Sequence, residues 1–133
     1  MKIKNNLSIV GFHLANSILI IFYLYPGSIF GCYIYNNCNI QPQITANLVI
    51  SSNYWISSNH LYVFTILSLL GIEVYTNTKK KKFIILYLFL LSIILELLHI
   101  IIPNRAFELS DLFGNISGVI LIIIIYKVKN KYV

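Results

Sequence analysis

Lys79-Lys80-Lys81-Lys82-Phe83-Ile84-Ile85-Leu86-Tyr87-Leu88-Phe89-Leu90-Leu91-Ser92-Ile93-Ile94-Leu95-Glu96-Leu97-Leu98-His99-Ile100-Ile101-Ile102 is the stretch whose reading decides the fold. Four lysines precede a block, residues 83–102, in which only Ser92, Glu96 and His99 interrupt isoleucine, leucine, phenylalanine and tyrosine. At about 1.5 Å of rise per helical residue the block spans about 30 Å, the thickness of a bilayer's hydrocarbon core. Lysines flanking such a block mark the cytoplasmic side. The stretch therefore predicts a transmembrane helix that starts inside and carries two ionisable groups toward its outer end.

Three more apolar blocks surround it, at about 7–25, 61–76 and 110–126. The whole chain is 58% hydrophobic and 11% charged, far from the roughly half-apolar, quarter-charged balance of soluble domains, so a water-soluble core is excluded. The net charge of +6 does not point to nucleic acid. Its lysines form three clumps (Lys2 and Lys4; Lys79 to Lys82; Lys127, Lys129 and Lys131), each at the end of an apolar block. Placing all three on one side requires an even number of crossings. The predicted fold is all-α: one domain over 1–133, an integral membrane four-helix protein of the inner (cytoplasmic) membrane, both termini cytoplasmic, with membrane lipids as its first partners and no nucleic acid. The first block ends at Pro26-Gly27, which interrupts a helix. A cleaved signal peptide is the competing reading of that block, but it is long for an h-region and no small-x-small site follows.

The outer loop, 26–60, holds no Lys, Arg, Asp or Glu. Trp55, Tyr33, Tyr35 and Tyr54 suit the headgroup level, and segment 44–56 is expected along the membrane surface. Cys32 and Cys38 are the only cysteines and would lie on the oxidising side. They are a disulfide candidate, with a pair of unbonded thiols as the alternative.

Ionisable groups inside spans cost about 2.5–3.5 kcal/mol each on insertion scales, so each needs a partner or a purpose. Glu73 stands close to the lysine run and can reach it or water. His13 and Asn16 share a face of the first span, for internal packing or for a partner subunit. Glu96 and His99, three apart, share a face of the third; counting back from Pro103 puts Glu96 about 10 Å below the outer end of its helix. Asp111, Asn115 and Gly118 form a facing stripe on the fourth.

Between the stripes, the connection 103–110 carries Arg105, expected to pair with Glu96, Glu108 or Asp111, and Ser110 or Asp111 is the expected N-cap. The candidate binding residues are thus Glu96, His99, Arg105, Asp111 and Asn115, with Pro103, Phe107 and Gly118 shaping the hairpin; a self-satisfied hairpin accounts for the same residues. His99, oriented by Glu96 or Asp111, is the candidate for proton transfer. Glu-x-x-His is also half of a carboxylate-bridged di-metal motif. Its second half is missing, with Asp111, His60 and His13 the only further candidates, so neither metal nor cofactor is expected.

Residues 96–118 resemble the signature of the VanZ-like family. Glu96, Pro103, Arg105, Phe107, Asp111, Asn115 and Gly118 stand at the matching spacing. His99 replaces a common Gln, Asn104 a common Gly, and Ile122 a small residue. His60, followed by Phe64 and Leu67, is similar to the end of the family's Asp-Lys-x-x-His stretch, here without the Asp-Lys. The resemblance implies a multi-pass protein of the bacterial cell envelope and, as for the family's founding members, lowered susceptibility to teicoplanin-type lipoglycopeptides; the polar residues themselves suggest an outer-leaflet pocket as its seat. A lipoglycopeptide or a lipid-linked envelope precursor would then be the ligand. It brings no catalytic mechanism with it. A small accessory subunit among other membrane proteins, and an enzyme acting on a lipid-linked substrate, are the two alternative functions.

Overall fold

The computed structural model describes residues 6–42 and 55–132. Among these the chain is all-helical: α1 (Asn6–Leu24), α2 (Ile29–Tyr35), α3 (Ser58–Tyr75), α4 (Lys81–Leu98) and α5 (Leu109–Tyr132). Most of the segment expected along the membrane surface lies outside the described residues, as do Lys2, Lys4 and Tyr54; Trp55, at the edge of that segment, is 79% exposed.

Burial is inverted relative to a soluble protein. Leu7, Val10, Leu14, Ile21, Ile66, Phe83, Leu86, Ile124 and Ile125 face outward. Asn16, His60, Ser68, Ser92, Glu96, His99 and Asn115 lie inside, around a core that includes Phe12, Phe64, Ile72, Leu88 and Val119. An apolar exterior wrapped around polar side chains is stable only where the surroundings are themselves apolar.

Two helices are long and apolar enough to cross a membrane, Asn6–Leu24 and the Leu109–Lys129 part of α5. Four such helices were expected. The middle pair falls short because α3 begins on Ser58-Asn59-His60, earlier than the apolar block, and α4 takes in Lys81, Lys82 and Glu96 while stopping at Leu98. The helix ends shift other expectations too. Past Leu98 the chain continues in tight turns, with the Ile100 N–H on the Leu97 carbonyl and that of Ile101 on Leu98. Glu96 therefore sits in the last turn of its helix and not two turns below the end. Because α5 starts at Leu109, Ser110 and Asp111 lie inside its first turn and neither is the N-cap. Asp111 still complements the positive end of the helix dipole.

α5 packs chiefly on α3, and then on α4. The contact is close because two glycines face α3: a Cβ on Gly114 would stand 2.6 Å from the Ser57 carbonyl oxygen, and one on Gly118 2.7 Å from that of Leu61. The Ser57 N–H bonds to the Ser110 carbonyl at 2.9 Å, tying the first turns of α3 and α5 at one end of the bundle. At the other end Lys81 and Lys129 both approach the Tyr126 ring, within 5.7 and 5.9 Å of its centre, and Tyr126 donates its hydroxyl proton to Glu73. One end is thus basic, and the polar cluster occupies the opposite one. His13, which is exposed, meets the Tyr75 hydroxyl at 3.0 Å, and buried Asn16 donates to the Tyr87 hydroxyl at 2.6 Å, so each is bonded to a neighbouring helix.

Helix α2 folds back over the end of α1. The Ser28 hydroxyl accepts from the Gly31 N–H, Asn36 closes the helix in the left-handed region, and the Ser28 N–H bonds to the Cys38 carbonyl. Cys32 and Cys38 form a disulfide across this fold. For so short a loop the chain-entropy contribution is about 2 kcal/mol. A thiol-directed mass tag is expected to add nothing to the unreduced protein and two tags after reduction; labelling without reductant would refute the bond.

Candidate functional site

Four helices bring their polar residues together at the end where α3 and α5 begin. Tyr23, in the last turn of α1, donates its hydroxyl proton to Asn115 Oδ1 at 2.8 Å and lies 2.9 Å from His60 Nδ1. Asn115, fully buried on α5, donates from Nδ2 to the Ser92 carbonyl of α4 at 3.2 Å, and its Oδ1 is 3.1 Å from His60 Nδ1. His60 Nε2 lies 3.2 Å from Asp111 Oδ2. Glu96, with no exposed surface, accepts through Oε1 from the Glu108 N–H at 3.2 Å and faces His99 Nδ1 at 3.3 Å. Its second oxygen, Oε2, has no hydrogen-bond partner and is 3.9 Å from His60 Nδ1. A buried carboxylate oxygen without a donor is costly, which makes this atom the conspicuous feature of the cluster.

Of the candidate residues, Glu96, His99, Asp111 and Asn115 are gathered into one cluster. Arg105 is not, and its expected pairing with a carboxylate is replaced by another role. Its Nη2 donates to the Phe22 carbonyl at 2.9 Å and its Nε to Tyr25 at 3.3 Å, satisfying carbonyls left open at the end of α1. Burial lowers the Arg105 pKa, with the negative charges of Glu96 and Asp111 among the opposing influences. Pro103 and Phe107 lie in the connection between α4 and α5 and make none of the cluster's bonds. His99 is packed between structural partners: its ring stacks on that of Tyr23, and Nε2 faces the Tyr23 carbonyl at 3.2 Å while Nδ1 faces Glu96. Both ring nitrogens thus face oxygen acceptors.

Two cavities meet at this cluster. A polar one of about 400 Å³ is bounded by Ser28, Gln41, Asn104, Arg105, Glu108 and Asp111. An apolar groove of about 670 Å³ runs between α1, α2 and α3, along Ala15, Ile18, Leu19, Phe22, Phe30, Ile34 and Val63. Ser28, Gln41, His99 and Arg105 line both.

Sequence reasoning missed Tyr23 as the residue joining His60 to Asn115, and gave His60 only a marginal place. A tyrosine at the end of an apolar helix carries no signal of its own. The spacing Gly114-x-x-x-Gly118 did carry one, since small residues four apart let two helices approach closely, and Gly114 belongs with Gly118. A family model described as VanZ/LLP1 matches residues 9–130. No curated protein and no solved structure matches the chain.

Proposed function

Because this chain belongs to the VanZ-like family, we propose that it is a four-span envelope protein, both ends cytoplasmic, that binds an amphiphile at its outer face. The apolar chain of the ligand lies in the α1–α2–α3 groove and its polar head enters the cavity beside Arg105. The observation carrying this reading is that an apolar groove and a polar cavity lie side by side and share the lining residues Ser28, Gln41, His99 and Arg105. Their sizes suit one apolar chain and the part of a polar head next to it, not a whole large ligand, and each methylene buried in such a groove contributes about 0.8 kcal/mol. The lysines gathered at the end away from the cluster agree with an inward-facing basic end. Teicoplanin-type lipoglycopeptides and lipid-linked envelope precursors share the required chemistry, an acyl or isoprenoid chain joined to a polar head. Lowered susceptibility to such antibiotics follows if the ligand is held away from its target.

The test is binding to the purified protein in nanodiscs. A lipoglycopeptide and a lipid-linked precursor are each compared with a counterpart lacking the chain. Tailed ligands are expected to bind at least about tenfold more tightly, as roughly two buried methylenes would suffice to produce. Ala15→Phe, which fills the groove, is expected to erase that preference. Equal binding with and without the chain, or a preference that survives Ala15→Phe, rejects the reading. The alternatives draw less support: His13 and Asn16 of α1 are bonded to Tyr75 and Tyr87 of the same chain, and His99 has neither nitrogen directed at a free space where a substrate proton would lie.

A further inference from the structure

We propose that His60, Glu96 and Asp111 hold one divalent first-row metal ion, of the zinc or manganese class, in the polar cluster between α3, α4 and α5. One ligand atom from each of the three lies within 4.8 Å of the other two. Tetrahedral coordination at zinc bond lengths places neighbouring ligand atoms about 3.3 Å apart. The 3.2 Å between His60 Nε2 and Asp111 Oδ2 already meets that spacing.

The hydrogen-bond pattern selects the same nitrogen. Asn115 spends its amide protons on the Ser92 carbonyl, so its Oδ1 is an acceptor, and it already receives the Tyr23 hydroxyl proton. His60 Nδ1 faces both Asn115 Oδ1 and Tyr23 Oη and therefore carries the ring proton. In neutral imidazole Nε2 is then left with a lone pair directed at a carboxylate oxygen, an arrangement that either a metal ion or a second ring proton between them would satisfy. A metal-bound histidine normally donates its other ring N–H to a fixed acceptor, as His60 does here.

The second, independent observation is Glu96 Oε2. It is buried with its whole residue and no donor satisfies it; its 3.9 Å approach to His60 is to Nδ1, so it reaches an ion on Nε2 as the more distant of the three ligands. Arg105, the cation expected to neutralise these carboxylates, is turned instead to the α1 carbonyls. One imidazole and two carboxylates suit zinc, manganese or iron(II) better than a thiol-seeking ion. Three protein ligands also leave a position open for water or an anionic oxygen. The inference does not depend on the amphiphile reading, since the ion would be held with or without a lipid in the groove.

The experiment uses the full chain purified in detergent, stripped with chelator, dialysed against Zn²⁺ or Mn²⁺ and analysed for metal content; Co²⁺ substitution gives a visible spectrum. One equivalent per chain is expected, with ligand-field bands for Co²⁺. Affinity is expected to fall more than about tenfold in His60→Gln and in Asp111→Asn, since changes to outer-shell partners alone produce such losses. Helical content by circular dichroism accompanies each variant. If His60→Gln fails to fold, Asp111→Asn, at the partly exposed edge of the cluster, decides. No stoichiometric metal in the unaltered protein overturns the proposal. So does binding unchanged in the folded variants, and in the first case a proton shared between His60 and Asp111 takes the place of the ion.

Discussion

Valine at Gly114 is expected to destabilise the protein by about 3 kcal/mol or more, at the upper end of what overpacking costs, because the obstacle is backbone and cannot rotate away. A Cβ there would meet the Ser57 carbonyl oxygen at 2.6 Å and the His60 Cβ at 2.9 Å. Both lie in or beside the first turn of α3, and the N–H of Ser57 is bonded to Ser110 across the same contact. The larger side chain must push α5 from α3 and so break that bond and separate His60 from Asp111 and Asn115. Gly11→Val is the control: nothing lies within 4 Å of that position, and a change within about 0.5 kcal/mol is expected from helix propensity alone. Unfolding in mixed micelles, followed by circular dichroism, measures both. Equal midpoints for Gly114→Val and Gly11→Val would mean that the α3–α5 contact is looser than described.

Asn115→Leu is expected to cost about as much by another route. Leucine fits the volume approximately but removes one acceptor and one donor at a site with no exposed surface. The Tyr23 hydroxyl, His60 Nδ1 and the Ser92 carbonyl each lose a partner. Leaving a buried polar group unsatisfied costs about 1–3 kcal/mol, so a total of about 3 kcal/mol or more is expected. The network also predicts non-additivity: with Tyr23→Phe already in place one of those groups is gone, and Asn115→Leu should then cost about 1 kcal/mol less. Strict additivity of the two changes, measured as a double-mutant cycle, would contradict the described bonds.

Much of this arrangement was legible in residue order. Glu96, His99, Asp111 and Asn115 were readable because a charge or amide within an apolar block is expensive and their spacing put them on facing stripes. Asn104 is instructive: it stands where the family commonly has glycine, and its φ of 58° explains the exchange, since asparagine is among the few side chains that tolerate the left-handed region. The role of Arg105 was not readable. A guanidinium near three carboxylates suggests a salt bridge, but the end of α1, eighty residues earlier, offers carbonyls at the required distance, and only the packing of α1 against the connection discloses them. The helix ends misled for a related reason. Hydropathy marks where side chains favour lipid, whereas backbone hydrogen bonds decide where a helix stops, and the two differ at Leu98 and at Ser58.

The pairing of α3 with α5, across the intervening α4, bears on biogenesis. During synthesis His60 and Glu96 emerge on α3 and α4 before Asp111 and Asn115 exist, and a nascent chain lacking α5 exposes those groups to lipid or must shelter them in an insertase. A chain that ends ahead of α5 would lack the Asp111 and Asn115 partners of His60 and Tyr23.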